Sequence, residues 1–286
     1  MERVWFVTGA SRGLGREITR AALSAGDFVM ATARQPERLS DLQARFGARL
    51  ATAQLDVSVP GAAAGPLAAT LTRFGHLDVV VNNAGYGSIA PIEDVTDDDF
   101  HSQVATHLYG TLSVTRAAVP IFRRQGSGRF IQIASIGGRT GAPGFGVHQA
   151  VKWAVEGLSG ALANEVAPLG IKVTVVEPGG LRTDYNGVSR RVGYIRPEYA
   201  ATAGMNATLL GEYHGREPGD PAKAAQAILQ VAGMPEPPLR LLLGTDAVRY
   251  AAAVAAAQAE SDARWRDLSL SIAADDEDEG APLETV

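Results

Sequence analysis

The stretch that decides the fold runs from Val4 to Gly15 and reads VWFVTGASRGLG. Its first four residues are apolar, which is typical of a buried strand in a parallel sheet. A turn with glycines at 9, 13 and 15 follows, and a helical pattern covers 16–25. This arrangement directs backbone N–H groups and the positive end of a helix dipole towards a phosphate. The spacing differs from the common G-x-G-x-x-G fingerprint, so a glycine-rich turn without a ligand is the alternative.

The composition indicates one large domain. Of the 286 residues, 46% are hydrophobic, which is enough for a sizeable core. No apolar run is long enough to cross a membrane, and the first strand leaves no room for a signal peptide. The chain has no cysteine, which excludes disulfides, thiolate metal sites and a cysteine nucleophile. We therefore expect a cytoplasmic protein without a membrane partner.

The net charge of −5 comes from the C-terminal end. Residues 275–286 contain six acidic residues and no basic one, and the charge of the remaining chain is +1. A nearly neutral body gives no electrostatic reason to expect nucleic-acid binding. We predict that 273–286 form an acidic, disordered tail.

Short apolar strands alternate with helical segments along most of the chain. Strands are predicted at 28–33, 49–55, 77–81, 129–134 and 171–177, and helices at 36–46, 61–74, 97–124 and 145–167. This β-α-β succession predicts an α/β fold with a doubly wound, Rossmann-type parallel sheet.

The order changes after Thr183. Residues 184–219 are polar and without clear periodicity, which favours a substrate lid above the carboxyl ends of the strands. A helix at 221–232, a strand at 239–243 and a helix at 246–266 complete a single predicted domain, 1–272.

Taken together, these stretches resemble the short-chain dehydrogenase/reductase family over roughly residues 3–245. The motifs occur in family order: TGASRGLG at 8–15, Asp56-Val57, NNAG at 82–85, Ser135, Lys152, and Pro178-Gly179 with Thr183. The C-terminal GDPAKAA and PPLRLLLG are similar to the branch related to 17β-hydroxysteroid dehydrogenase type 1 and the retinol dehydrogenases. The resemblance implies a nicotinamide dinucleotide as cofactor.

The cofactor type follows from the charges near the second strand. An NAD site usually has a carboxylate at the end of that strand, to bind the ribose 2′-hydroxyl. Here the strand ends in Ala33-Arg34, and Arg12 lies in the glycine turn. Two guanidinium groups suit a 2′-phosphate, so we predict NADP(H). The predicted cofactor site consists of Gly9, Ser11, Arg12, Gly13, Leu14, Gly15, Arg34, Asp56, Val57, Asn83, Ala84, Gly85, Lys152, Pro178, Gly179 and Thr183.

The catalytic positions depart from the family pattern. The resemblance implies a tyrosine four residues before Lys152, a serine at 135 and an asparagine on the preceding long helix. Ser135 and Lys152 are present, and Lys152 is one of three lysines beside 23 arginines. The tyrosine position is His148, and the asparagine position is His107. We therefore predict Ser135, His148, Lys152 and His107 as the catalytic set.

Three functions are compatible with this set. His148 can replace the tyrosine in NADPH-dependent reduction of a carbonyl, as proton donor or as a neutral hydrogen-bond donor. Alternatively, the histidines and Ser135 do acid–base chemistry without redox, as in a cyclase, epimerase or dehydratase. As a third interpretation, the protein is a catalytically silent NADP-binding protein.

Two other uses of the histidines are weaker. No carboxylate lies at metal-ligand spacing from either histidine, so no metal is predicted. No nucleophile-elbow sequence surrounds Ser135, which disfavours a hydrolase.

The lid indicates the substrate class. A hydrophobic substrate is predicted if the apolar and aromatic residues of the lid face it, and packing of the lid onto the sheet is the alternative role of these residues: Tyr185, Tyr194, Tyr199, Met205, Leu209 and Tyr213. The helices at 97–124 and 145–167 are those by which family members commonly dimerise, so a homo-oligomer is also expected.

Overall fold

A computed structural model of the chain describes residues 2–185 and 190–274. Its main feature is a sheet of parallel strands in the order β3-β2-β1-β4-β6-β7-β9. The strands of this sheet are β1 (Val4–Thr8), β2 (Phe28–Ala33), β3 (Leu50–Gln54), β4 (Val79–Asn82), β6 (Gly128–Ile133), β7 (Ile171–Pro178) and β9 (Arg240–Leu243). Because the strand order reverses between β1 and β4, the crevice for a ligand opens beyond the carboxyl ends of these two strands.

Helices cover both faces of the sheet. They are α1 (Gly13–Ser24), α2 (Ser40–Phe46), α3 (Ala64–Phe74), α4 (Asp97–Gln103), α5 (Gly110–Gln125), α6 (Gly146–Val166), α7 (Met205–Tyr213), α8 (Pro221–Gly233) and α9 (Thr245–Leu270). Alternate residues of β1 enter different cores: Trp5 packs with α1 and α8, whereas Phe6 packs with α3 and α5. Burial on both faces explains why the strands read as continuous apolar runs. The predicted doubly wound fold is confirmed.

Two features of the fold were absent from the sequence-based prediction. Strands β5 (Gly87–Ile89) and β8 (Arg190–Val192) form a separate parallel pair, in which Gly87 is opposite Arg190. The long helix predicted at 97–124 extends over α4 and α5, but a π-helical segment, Val104–Tyr109, joins them. A strand of three residues is too short for a periodicity to show, and a π turn has no sequence signature.

The region predicted as a lid is more ordered than expected. Besides β8, its described part contains α7, preceded by a short π-helical segment, Ala200–Gly204. These elements were not visible in the sequence of 184–219, which lacks a clear periodicity, and the assignment of the segment as a substrate lid stays a prediction. Residues 186–189 of the lid and 275–286 of the predicted tail lie outside the described residues. Among the residues described, no helix is long and apolar enough to span a bilayer.

Candidate active site

One large cavity lies at the carboxyl ends of the strands, with a volume of about 1170 Å³. It brings together the four predicted catalytic residues, Ser135, His148, Lys152 and His107. The predicted cofactor residues that line it are Gly9, Ser11, Arg12, Gly13, Leu14, Arg34, Asp56, Val57, Asn83, Ala84, Gly85, Lys152, Pro178, Gly179 and Thr183. A single cavity thus joins positions that lie up to 174 residues apart in the chain.

The glycine turn is shaped to receive a phosphate. Gly9 and Gly13 have positive φ angles of 65° and 54°, a conformation that other residues rarely adopt. No side chain among the described residues caps the N-terminus of α1, and its first turn contains no acidic residue. Its free N–H groups and dipole therefore suit an anion.

Gly15 has a different role from the one predicted. It does not line the cavity. A Cβ on Gly15 would collide with the Asn83 side-chain amide and lie 2.6 Å from the Gly9 carbonyl oxygen. The Asn83 amide nitrogen donates to the carbonyl oxygens of Thr8 and Gly9, at 2.9 and 3.2 Å. Gly15 therefore lets α1 approach the end of β4, and it supports the turn from behind.

Charged and polar groups line the cavity near the glycine turn. Arg12 and Arg34 are both part of the cavity wall, as predicted for a site that binds a 2′-phosphate. Asp56 Oδ1 accepts hydrogen bonds from the backbone N–H and the hydroxyl of Ser58, at 3.0 and 2.6 Å. These bonds fix the orientation of the carboxylate at the cavity wall.

Ser135 and Lys152 are held by backbone groups. The Ser135 hydroxyl oxygen accepts a hydrogen bond from the Gly137 N–H at 3.0 Å. The Lys152 ammonium donates to the Ile133 carbonyl oxygen at 2.8 Å. Burial lowers the pKa of Lys152 to about 8. Lys152 is thus mainly protonated at neutral pH. Because its pKa is only slightly above 7, it loses its proton more readily than an exposed lysine does.

His148 is buried in the first turn of α6, one helical turn before Lys152. Burial, with a smaller contribution from the Lys152 charge, lowers the pKa of His148 to about 3. The imidazole is therefore neutral at pH 7, with one N–H donor and one acceptor nitrogen.

Tyr185 contacts His148. The sequence indicated Tyr185 as a lid residue, but it did not indicate this contact. Its hydroxyl oxygen lies 3.2 Å from each ring nitrogen of His148, and the ring centroids are 5.9 Å apart. Burial raises the pKa of Tyr185, so the phenol keeps its proton. Gly87 makes room for this hydroxyl, because a Cβ there would lie 3.1 Å from it.

His107 is buried in the π-helical segment. Its Nε2 lies 2.7 Å from the Tyr86 carbonyl oxygen, so Nε2 carries the proton and donates it there. Its Nδ1 is buried without a hydrogen-bond partner in the described part of the chain. The rings of His107 and His148 are 5.6 Å apart and nearly perpendicular. Burial, and then the charge of Lys152, lower the pKa of His107 well below its usual value.

The lid residues agree only partly with the prediction of an apolar inner face. Tyr185 and Leu209 line the cavity. The cavity wall does not include the other four, Tyr194, Tyr199, Met205 and Tyr213, and Tyr199 instead donates its hydroxyl proton to Glu93 at the surface. The prediction is wrong for these four, because Tyr194, Met205 and Tyr213 are exposed at the surface and Tyr199 is held there by Glu93. Among the described residues, no group of three or more His, Cys, Asp or Glu side chains is arranged to hold a metal.

Comparisons with known proteins agree with this geometry. The family model described as short chain dehydrogenase matches residues 3–191. An oxidoreductase of Botryotinia fuckeliana, BOA17, is 48% identical over 274 residues, which cover 96% of this chain and all of that protein.

Two solved structures extend the comparison. A short-chain dehydrogenase from Streptomyces avermitilis is 38% identical, with a TM-score of 0.90, over 96% of this chain and all of that one. The closed form of a serine dehydrogenase complexed with NADP+ is 28% identical, with a TM-score of 0.73, over 84% of this chain and 94% of that one.

The chain belongs to the short-chain dehydrogenase family. The family predicted from the motifs is therefore confirmed, whereas the finer assignment to the steroid and retinol dehydrogenase branch stays a prediction.

Proposed function

We propose that the protein is an NADPH-dependent reductase of a carbonyl group on a hydrophobic small molecule. The observation that carries this proposal is the shared cavity: Ser135, His148 and Lys152 line the same space as the two arginines at the glycine turn and the end of β2. A related serine dehydrogenase has been solved with NADP+.

The residues present fit an NADP molecule. The glycine turn and the uncapped N-terminus of α1 suit its pyrophosphate, and Arg12 and Arg34 suit its 2′-phosphate. Asp56 and the small residues from Asn83 to Gly85 leave room for the adenine and ribose groups. When bound, NADPH supplies the hydride for the carbonyl carbon.

His148 has the role of hydrogen-bond donor to the carbonyl oxygen. A neutral imidazole is a poor acid, but its N–H stabilises the negative charge that develops on this oxygen. The Tyr185 hydroxyl keeps its proton and lies 3.2 Å from both ring nitrogens, so it can donate a hydrogen bond to the unprotonated nitrogen of His148 while the other nitrogen bears the N–H. The Ser135 hydroxyl is a second donor to the oxygen.

Lys152 is the source of the proton that completes the reduction. Its ammonium has a pKa of about 8, close to neutral pH, and it lies in the same buried site. His107 lies between Tyr86 and His148, with ring centroids 5.7 and 5.6 Å away. Its unpartnered Nδ1 suits a relay that restores the proton.

Non-redox acid–base catalysis is the second candidate. The observation in its favour is the pair of neutral, buried imidazoles, His107 and His148, which suit proton transfer to and from carbon or oxygen. Both functions use the same cavity, and they differ in whether NADPH is consumed.

The first test of the proposal is a titration of the protein with NADPH and, separately, with NADH. Quenching of tryptophan fluorescence measures the binding of each nucleotide. We expect micromolar binding of NADPH that is much tighter than binding of NADH, and then oxidation of NADPH with hydrophobic ketones. Turnover without NADPH consumption would favour the acid–base function. Cofactor binding without any turnover would favour a silent binding protein, and no binding of either nucleotide would contradict the reductase. A homo-oligomer and a cytoplasmic location stay predictions from the sequence.

A further inference from the structure

Arg190 is a cationic residue at the substrate end of the cavity. It begins β8, and its strand partner is Gly87, the residue over which the Tyr185 hydroxyl lies. Its guanidinium extends towards α7, where Nη2 comes within 3.8 Å of the position that a Cβ on Gly211 would occupy. Arg190 and the neighbouring Leu209 and Leu210 line the cavity together.

The guanidinium of Arg190 has no charged partner among the residues that the structure describes. Its Nη1 is buried without a hydrogen bond, and within residues 2–185 and 190–274 no carboxylate forms an ion pair with it. Burial lowers the pKa of Arg190. By contrast, Arg196 on the same lid pairs with Glu93 and Asp94. One arginine of the lid is therefore paired with carboxylates of the segment after β5, whereas Arg190 lines the cavity without such a partner among the described residues.

An unpaired guanidinium in an apolar wall is unfavourable unless an anion joins it. Desolvation of a charge costs free energy that only hydrogen-bonded counter-charges offset. A guanidinium binds carboxylate and phosphate oxygens through two parallel hydrogen bonds. Leu209 and Leu210 beside it provide an apolar surface for the rest of the ligand. The site thus combines one cation with an apolar wall.

The position of Arg190 separates it from the predicted 2′-phosphate site. Arg12 and Arg34 lie at the β1–α1 turn and at the end of β2. Arg190 instead lies in the separate β5–β8 strand pair, where it is opposite Gly87. The Arg190 guanidinium is therefore free of the predicted 2′-phosphate contact and can bind a group of the substrate.

We propose that Arg190 forms a subsite for an anionic oxygen group, a carboxylate or a phosphate, carried by the apolar substrate. This inference rests on the proposed function for the identity of the ligand as substrate. It narrows the substrate class from hydrophobic carbonyl compounds to amphipathic ones, with an acidic group at a distance from the reacting carbonyl.

Three probes that share an eight-carbon alkyl group test the subsite: octanoate, octyl phosphate and octan-1-ol. Calorimetry in the presence of NADP+ measures the binding of each probe. We expect octanoate or octyl phosphate to bind about 10- to 100-fold more tightly than octanol, the range for a charge-assisted hydrogen bond. The tighter of the two anions identifies the group. Arg190→Gln should remove this preference, and Arg216→Gln, an equal change of charge at an exposed lid position outside the cavity wall, should keep it.

Several results would overturn the proposal. Equal binding of octanol and both anions would do so, and so would a preference that survives Arg190→Gln. A loss of NADPH affinity in Arg190→Gln, with the anion preference intact, would assign the guanidinium to the cofactor. Because these assays need no turnover, a failure of NADPH oxidation would contradict the reductase and leave the subsite standing.

Thermal unfolding without ligand provides an independent measurement. Arg190→Met removes an unpaired, partly buried charge and keeps the apolar stem, so its Tm should exceed that of the unmodified protein. A lower Tm together with unchanged anion binding would assign Arg190 a purely structural role.

Discussion

The Tyr185 hydroxyl lies 3.2 Å from both ring nitrogens of His148, although 37 positions separate the two residues. The family pattern places a tyrosine at position 148, and this chain has an imidazole there instead. The lid returns a phenol to the same site from the segment after β7. Because burial keeps the phenol protonated and the imidazole neutral, the pair shares one hydrogen bond rather than a charge.

Tyr185→Phe removes this hydrogen bond and keeps the ring. We expect kcat/KM for NADPH-dependent reduction to fall about tenfold, which corresponds to about 1.4 kcal/mol. The ¹⁵N shift of the unprotonated ring nitrogen of His148 should also change, because this nitrogen loses a hydrogen-bond donor. Tyr194→Phe, on the exposed part of the lid, is the matched control and should change neither quantity. An unchanged ¹⁵N shift in Tyr185→Phe would show that the hydroxyl donates no hydrogen bond to the His148 ring.

His148 itself is tested by two substitutions. His148→Gln keeps a polar side chain without the imidazole and should reduce kcat about 100-fold or more, the usual contribution of a positioned acid–base group. His148→Tyr restores the family residue next to Lys152 and should retain more activity than His148→Gln. Single-turnover oxidation of NADPH measures the chemical step in each variant. Equal rates in all three proteins would exclude His148 from catalysis.

Acid should destabilise the protein through its buried histidines. The pKa of His148 is about 3 in the folded state and about 6.5 when unfolded, so the unfolded chain binds more protons between these values. Stability is therefore present above pH 6.5 and lost as the pH falls towards 3. Between pH 7.5 and 5.0, this residue alone should lower the free energy of unfolding by about 2 kcal/mol.

Denaturant unfolding of His148→Gln at both pH values isolates that contribution. The difference between the two pH values should shrink by about 2 kcal/mol relative to the unmodified protein. Glu156 acts in the opposite direction, since burial raises its pKa to about 7 and its contribution is lost as the pH rises through that value. Because Glu156 is present in both proteins, its contribution to the pH dependence cancels when the two proteins are compared. The exposed His101→Gln is the control, and an unchanged difference in His148→Gln would contradict the prediction.

Arg34→Ala should weaken NADPH binding and spare NADH. Removal of one charge-assisted contact to a 2′-phosphate corresponds to about a tenfold or greater increase in the Kd for NADPH. The Kd for NADH, which lacks this phosphate, should change less than threefold. Fluorescence titrations of both nucleotides provide the measurement. A parallel loss for both would show that Arg34 supports the fold of the site and does not read the phosphate.

Gly15→Ala should disrupt the cofactor turn without entering the cavity. The added Cβ meets the Asn83 amide, which holds the carbonyl groups of Thr8 and Gly9. We expect a loss of about 2 kcal/mol in stability and weaker binding of both nucleotides. Gly65→Ala on α3 is the control, because nothing lies within 4 Å of its Cβ position. A fully stable Gly15→Ala protein would show that α1 can move away.

The sequence determined the scaffold and its motifs. Apolar runs such as 4–7 and 79–81 are local signals, and alternation with helices leaves a parallel sheet as the consistent arrangement. The order of the family motifs fixed which residues lie at the strand ends. Position 148 could be identified as an imidazole in place of a tyrosine because the spacing to Lys152 is one helical turn.

Only the tertiary structure decided which side chains meet inside the site. Tyr185 and Arg190 come from a lid whose polar sequence has no period, so their direction depends on the pairing of β5 with β8. His107 faces its neighbours from a π turn, and Gly15 packs behind the glycine turn instead of facing the ligand. Contacts between segments that are distant in the chain depend on how the layers pack, and local periodicity carries no information about that packing.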